Sequence, residues 1–207
     1  MGEKRLTAIF YQTPLGNMPV MEWLKKLGKP DREIIGSDLR LVEKGWPLGM
    51  PICRSLDDGL FETRSNLSNR RTARVIFFIK DGKMGILHGF IKKTQQTPRA
   101  DIELAKNANR KWKMTQNNHW GQTLESFLEE EGMLDDANAY ATKKILAWQI
   151  SEAMKEQGIS KSDMAKKMKT SRSSLDRLLD PDNGSLNLAT MERAATALGR
   201  KVMIQLI

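Results

Sequence analysis

The stretch that decides how the first half of the chain folds is LHGFIKKTQQTP, residues 87–98. It ends an apolar strand, sets Lys92 beside Lys93, continues with Thr94 and Gln95, and closes on a proline. Ammonium groups and hydroxyl or amide donors bind phosphate oxygens, so a strand end of this composition predicts a site for a phosphate backbone.

The residues before this stretch predict an antiparallel sheet. Residues 60–65 alternate between two faces, residues 74–79 are rich in β-branched and aromatic side chains, and residues 84–91 supply a return strand. Asp81-Gly82 predicts the hairpin turn between the last two strands, because both residue types tolerate positive φ.

Helices flank the sheet in sequence order. A strand at residues 6–11 and two helices between residues 17 and 44 precede it, and Thr97 starts a third helix. The period of that third helix predicts a buried stripe that includes Leu104 and Trp112. The first block is therefore an α+β domain with an antiparallel sheet, an N-terminal helix pair and a C-terminal helix.

Charge divides the 207 residues into three parts. Residues 1–113 carry 22 Lys or Arg against 12 Asp or Glu, residues 114–142 carry six acids and no Lys or Arg, and residues 143–207 carry 12 against 7. Two basic blocks favour polyanion binding. We predict three parts with these boundaries: a basic domain, an acidic linker or docking segment, and a second basic domain.

Composition also excludes several classes of protein. The single cysteine, Cys53, rules out an internal disulfide and a thiolate metal cluster, and we expect no metal and no cofactor. We also expect a cytoplasmic protein without a membrane partner, since no apolar run or signal peptide is present. A protein kinase or nucleotide-binding enzyme would need a Gly-rich phosphate loop, which the chain lacks.

Three motifs follow one another along the first block: GLFETRS (59–65), RTARVIFFI (71–79) and LHGFIKKTQQTP (87–98). Together they resemble the HigB-like branch of the RelE superfamily of toxins. The resemblance covers nearly all of residues 5–112. It implies a compact α+β endoribonuclease, an mRNA interferase that cuts mRNA in the ribosomal A site, so mRNA and the ribosome are the implied partners.

The chemistry of metal-independent RNA cleavage selects candidate catalytic residues. The 2′-hydroxyl attacks the phosphorus, charge on the phosphoryl oxygens must be stabilised, and the 5′-oxygen must leave. Arg64 and Arg74, on neighbouring predicted strands, are the expected phosphate clamps. Lys92 or Lys93 is the expected charge stabiliser or proton donor; the two point to opposite faces if the strand persists. Glu62 is either a base or the ion-pair partner of an arginine.

The remaining candidates in this block have less specific roles. We expect Gln95, Thr94 and Arg71 to bind RNA. His88 lies in the middle of a strand, and we interpret it as a packed structural histidine. Many members of the superfamily use a tyrosine or histidine near the end of the toxin, which this block lacks, so the general acid and base are unassigned.

The polar run MTQNNHWGQ (114–122) marks the best domain boundary. Met114 would suit the former start of a separate chain, so the sequence suggests two joined proteins, by a natural or an engineered fusion. Thr123 is a predicted N-cap for an amphipathic acidic helix with Leu124, Phe127 and Leu128 on one side. Such a helix is expected to dock onto the basic first block or to remain a solvated linker.

Residues 158–179 predict a helix-turn-helix. Ser160 caps one short helix, Ser171 caps the next, and the N-terminal part of the second would enter the major groove. The expected DNA-binding residues are Lys161, Thr170, Ser171, Arg172, Ser174 and Arg177. Arginine can bind guanine bidentately, which makes Arg172 the best candidate base reader.

Residues 143–207 resemble the HigA-like antitoxins with an XRE/Cro-type helix-turn-helix. A closing helix at residues 188–198 and a strand with Val202, Ile204 and Leu206 complete the block; an unpaired strand edge predicts a homodimer. The two resemblances imply a type II toxin-antitoxin pair in one chain, in which the antitoxin contacts and restrains the toxin and represses its own operator DNA. The alternative is a DNA-binding repressor that carries an inactive toxin-like domain.

Overall fold

The computed structural model describes residues 6–92, 97–114, 120–180 and 187–202; for Lys113 and Met114 it describes the backbone only. The chain divides into two compact units, which we call unit 1 (Met1–Ala141) and unit 2 (Thr142–Ile207). Each unit is described by itself.

Unit 1 is an α+β structure built on a mixed six-stranded sheet in the order β2-β3-β4-β5-β1-β6. Its elements are β1 (Thr7–Tyr11), α1 (Pro19–Lys26), α2 (Lys29–Gly45), β2 (Cys53–Ser55), β3 (Leu60–Asn66), β4 (Thr72–Lys80), β5 (Lys83–Ile91), α3 (Arg99–Met114), β6 (Trp120–Thr123), α4 (Leu124–Glu130) and the first part of α5 (Leu134–Glu156).

The central hairpin forms where the sequence predicts it. Asp81 and Gly82 have φ values of 50° and 73° and connect β4 to β5. The expectation of a wholly antiparallel sheet is wrong, because β1 pairs with β5 in parallel, with Thr7 opposite Lys83 and Phe10 opposite Ile86. Two helices and a meander separate these strands in sequence, and local signals carry no information on which strand β1 joins.

Helices cover both faces of the sheet. On one face, which we call the α3 face, Leu60, Ile76 and Phe78 pack with Ala105 and Trp112 of α3. The expectation that Leu104 is buried is wrong: it is 55% exposed, and its neighbour Ala105 is fully buried. Trp112 is buried as expected, so the error concerns only the N-terminal part of the stripe, where the packing of α3 on the sheet buries Ala105 in place of Leu104.

We call the opposite face the α2 face. There Trp46, the residue directly after α2, packs against Phe61 and Phe77, with ring centroids 4.8 and 5.9 Å apart. Trp23 of α1 lies so close to Gly89 of β5 that any Cβ at that position would clash with the indole ring. Both tryptophans are therefore packing residues.

Residues 120–141 belong to unit 1. The strand β6, which the sequence analysis missed, pairs antiparallel with β1, and Thr123 caps α4 by accepting a hydrogen bond from the Ser126 N–H at 3.1 Å, as predicted. Phe127 packs edge-on against Phe10, with centroids 5.5 Å apart. Arg40 of α2 forms an ion pair with Glu125 at 2.7 Å. These contacts place α4 beside α2, on the α2 face.

Unit 2 contains the end of α5 together with α6 (Lys161–Lys167), α7 (Arg172–Leu179) and α8 (Leu188–Ala197). The predicted caps form: Ser160 accepts from the Asp163 N–H and Ser171 from the Ser174 N–H, each at 3.1 Å. The core consists of Ile150, Ala153, Met154, Met164, Ala165, Met168, Leu175, Leu178, Met191, Ala194 and Leu198. Of the predicted terminal strand, Val202 is described without strand pairing, and Ile204 and Leu206 lie outside the described residues.

Candidate functional site

Two of the predicted arginines lie side by side on the α3 face. Arg64 of β3 is directly opposite Arg74 of β4, and Arg74 is in turn opposite Phe90 of β5. Residues directly opposite each other in a sheet project to the same face, with Cβ atoms about 5 Å apart. The paired strands therefore bring the two guanidinium groups to one place, beside the start of α3.

A buried carboxylate holds both arginines. Glu62 Oε1 accepts from Arg64 Nε at 3.1 Å and Nη2 at 3.0 Å, and Glu62 Oε2 accepts from Arg74 Nη1 at 3.0 Å. Thr97, just before α3, donates its hydroxyl to Glu62 Oε2 at 2.6 Å and also contacts Arg74 Nη1. Of the two roles that the sequence left open for Glu62, the structure shows the ion pair.

The three charged side chains differ sharply in exposure. The side chain of Glu62 is fully buried, that of Arg74 is 2% exposed and that of Arg64 is 28% exposed. Arg64 alone of these three presents its guanidinium to solvent. Arg74 lies beneath Arg64 and contacts Glu62, the carboxylate that orients Arg64.

The charge state of Glu62 follows from these contacts. Burial by itself would raise the pKa of the Glu62 carboxyl, but the hydrogen bonds from Thr97 and Arg64 and the positive charges of both arginines lower the pKa below its ordinary value. Hydrogen bonding to the charged form stabilises that form. Glu62 is therefore an ionised anchor and a weak proton acceptor.

Lys92 extends the cationic surface. Its backbone N–H donates to the Thr72 carbonyl at 2.7 Å, so strand pairing continues one residue past β5. Side chains alternate along a strand, and this places Lys92 on the same face as Phe90, which is the α3 face. The other members of the predicted set in this loop, Lys93, Thr94 and Gln95, lie outside the described residues.

Arg71 does not join this cluster. Its Nη2 forms an ion pair with Asp31 of α2 at 2.8 Å and bonds the Ser68 hydroxyl at 3.2 Å. This contact with α2 places the Arg71 side chain on the α2 face. Arg71 comes directly before β4, an odd number of residues from Arg74, so extended backbone between them places the two side chains on opposite faces.

His88 and Asp101 form a second polar pair on the α3 face. His88 Nε2 lies 2.8 Å from Asp101 Oδ1, and the imidazole stacks on Phe90 at 5.6 Å between ring centroids. Thr97 and Asp101 were missed as site residues. Their spacing of four residues at the start of a helix that follows a strand is a signal that could have found them, since such residues share one side of a helix.

The candidate DNA-binding residues of unit 2 lie around the turn between α6 and α7. Ser171, Arg172 and Arg177 are exposed, whereas Thr170 and Ser174 are partly buried. Lys161 pairs with Asp176 at 2.7 Å, which ties α6 to α7. The hydrogen bond from Lys161 lowers the pKa of the Asp176 carboxyl.

Two further observations concern ligands and membranes. Across residues 6–92, 97–114, 120–180 and 187–202, no three His, Cys, Asp or Glu side chains are grouped closely enough to hold a metal ion. In the same described parts, no helix has the length and apolar character required to cross a bilayer.

Unit 1 is thus an α+β domain with a mixed sheet that carries a buried Glu–Arg pair and a partly exposed arginine. Residues 22–110 match the family described as phage derived protein Gp49-like, a family associated with RelE-like toxins. The first block is thus similar to a toxin-like, phage-derived family, in agreement with the resemblance inferred from its motifs. No curated protein matches the chain.

Proposed function

We propose that the first block is a ribosome-dependent, metal-independent mRNA endoribonuclease of the HigB type, and that the second block is its HigA-like antitoxin. The observation that carries the proposal is Arg64, which is held by a buried Glu62–Arg74 pair and is 28% exposed on the same face as Lys92. A fixed, partly exposed guanidinium on a basic domain is suited to bind a phosphodiester.

We assign distinct roles to the clustered residues. Arg64 binds the non-bridging oxygens of the scissile phosphate and stabilises the charge that grows on them as the 2′-oxygen attacks. Lys92 protonates the departing 5′-oxygen. Glu62 and Arg74, which are buried, are positioning residues that hold Arg64, and holding a group in its productive orientation lowers the barrier without further contact to RNA.

The acidic segment bears on how the toxin is restrained. Among the described residues, 120–141 pack through β6 and α4 on β1 and α2, and Trp120 also reaches the α3 face beside Phe78 and Trp112. Arg64 bonds to Glu62 and to none of the described residues of this segment, and its side chain is 28% exposed. We infer that restraint acts by blocking entry of the toxin into the ribosome rather than through coverage of the arginine cluster by this segment.

The second block supplies the DNA-binding half of the proposal. Its capped helices α6 and α7 around a tight turn, with Arg172 exposed at the first position of α7, fit a recognition helix that enters the major groove. Replacing Arg172 with alanine should weaken operator binding by about 1–3 kcal/mol and relax the preference at one base pair. Gel retardation with single-base operator variants measures both effects.

The test of nuclease activity uses a reconstituted translation system with a defined mRNA. The full chain and Met1–Ala141 are each compared with the Arg64→Ala variant, and Arg110→Ala, an exposed arginine at the far end of α3, is the control. We expect cleavage that ends in a 2′,3′-cyclic phosphate, lost in Arg64→Ala by about 100-fold and retained in Arg110→Ala.

The alternative function gives a different result. A repressor with an inactive toxin-like domain would show no cleavage in either form of the wild-type chain, while operator binding would still depend on Arg172. Equal cleavage by wild type and Arg64→Ala would also overturn the proposed site.

A further inference from the structure

A pair of side chains on the α3 face has the arrangement of a proton-transfer dyad. His88 Nε2 and Asp101 Oδ1 are 2.8 Å apart, and each side chain is 22% exposed. The pair lies outside the Glu62 hydrogen-bond network, so neither residue is needed to hold Arg64. Resting on the proposed nuclease function, we propose that His88 is the general base that activates the RNA 2′-hydroxyl, with Asp101 as its positioning residue.

The register of the sheet places His88 next to the arginine cluster. Phe90 is directly opposite Arg74, and His88 is two residues before Phe90, opposite Ile76. Diagonal neighbours of this kind lie about 7–8 Å apart between their Cα atoms and share one face. The imidazole stacks on the Phe90 ring, which keeps it beside the row that contains Arg64 and Arg74. A phosphate bound to Arg64 would bring its 2′-oxygen to the same end of the α3 face.

The contact with Asp101 determines which ring nitrogen can accept a proton. In the neutral imidazole one nitrogen carries the hydrogen and the other accepts. An ionised Asp101 carboxylate can only accept, so the nitrogen beside it, Nε2, carries the hydrogen and the lone pair is on Nδ1. A carboxylate that fixes the tautomer and orientation of an imidazole also stabilises the imidazolium that forms on proton transfer.

The step balances without a co-reactant. Nδ1 of His88 takes the proton of the 2′-hydroxyl, the O2′–P bond forms and the P–O5′ bond breaks. The 5′-oxygen takes a proton from Lys92, and the imidazolium returns its proton through water to the lysine. The products are a 2′,3′-cyclic phosphate and a 5′-hydroxyl, and the chain is unchanged.

The charged groups around His88 come from three elements. Asp101 faces it from α3, Arg74 lies diagonally across on β4, and Lys92 follows β5 on the same face. The neutral form is the reactive one, so the rate should rise with pH as His88 loses its proton.

The test measures single-turnover cleavage of mRNA by the full chain in the reconstituted translation system, across roughly pH 5 to 8, where histidine titrates. His88→Gln keeps an amide that can bond to Asp101 but cannot take up a proton. We expect a rate lower by about 100-fold and loss of the acidic limb of the profile. The control is His119→Gln, which replaces the other histidine of the chain and should leave rate and profile unchanged.

Asp101→Asn is the second variant, because it retains the size of the side chain while changing its charge. We expect a rate lower by about 10-fold and an acidic limb displaced to lower pH, since the imidazolium loses its carboxylate. If circular dichroism shows that His88→Gln does not fold, the displacement of the acidic limb in Asp101→Asn tests the general-base role of His88.

Failure of the His88 assignment can be distinguished from failure of the proposed nuclease function. If wild type cleaves, and His88→Gln is folded and keeps both its rate and its acidic limb, the dyad is only a packing contact and the inference is wrong. An unchanged profile in Asp101→Asn refutes it equally. If wild type and Arg64→Ala both leave mRNA intact, the proposed nuclease function itself fails, and the assignment of His88 falls with it.

Discussion

The Glu62–Arg74 ion pair offers the sharpest physical test of how unit 1 is built. Both side chains are almost completely buried, and Glu62 accepts hydrogen bonds from Arg64, Arg74 and Thr97. Removing one partner of a buried pair leaves the other charge without compensation, which costs about 3–5 kcal/mol. Glu62→Leu should therefore lower the free energy of unfolding of unit 1 by about that amount, because it removes the buried carboxylate that accepts hydrogen bonds from both Arg64 and Arg74.

The partner substitution should cost less. Arg74→Met leaves Glu62 with its bonds to Arg64 and Thr97, so we expect a loss of about 1–3 kcal/mol, close to that of a lost hydrogen bond to a charged group. The double variant removes both buried charges and fills the space with apolar side chains, an exchange that is often neutral or stabilising. The double variant should be more stable than Glu62→Leu alone by about 2 kcal/mol. Its loss should therefore fall well short of the sum of the two single losses, and that shortfall is the coupling that a double-mutant cycle isolates.

Urea unfolding of the full chain followed by tryptophan fluorescence measures these free energies. Of the five tryptophans, only Trp148 belongs to unit 2, so the signal reports mainly on unit 1. Glu129→Gln, which changes an exposed carboxylate of the same unit, is the control and should shift stability by less than about 0.5 kcal/mol. A loss below about 1 kcal/mol for Glu62→Leu, or strict additivity in the double variant, would contradict the assignment of a coupled buried pair.

Three other measurements test further features of unit 1. Since the folded-state pKa of Glu62 is lowered, its stabilisation is present above the unfolded pKa of about 4.3 and is lost as pH falls through the folded value; Glu62→Gln should flatten this acid loss in urea titrations. Burial, with a smaller effect of the Asp38 charge, raises the pKa of Cys53 to about 12, so iodoacetamide at neutral pH should label it only when unit 1 opens, and rapid labelling of the native chain would contradict its burial. Phe127→Ala removes a fully buried ring that packs on Phe10 and should destabilise unit 1 by about 3–5 kcal/mol, whereas an unchanged urea midpoint would show that α4 is not part of the unit 1 core.

Local signals in the sequence predicted much of the framework. The Asp81-Gly82 turn, the caps at Thr123, Ser160 and Ser171, and the neighbouring strands that carry Arg64 and Arg74 were all expected from residues within a few positions of each feature. Turns and caps are decided by the φ preference of one residue and by hydrogen bonds to backbone groups two or three positions away. The match of residues 22–110 to a toxin-like family agrees with the motifs in the same part of the chain.

Other features depended on contacts between residues far apart in sequence. The parallel pairing of β1 with β5, the burial of Ala105 in place of Leu104, the separation of Arg71 from Arg74, and the approach of Asp101 to His88 are of this kind. The sequence alone determined which residue types were available and where turns and helices begin. Only the tertiary structure decided which charges meet and which are buried, because the free energy of an ion pair depends on its partners, its distance and its exposure to water, and none of these is a property of a local stretch.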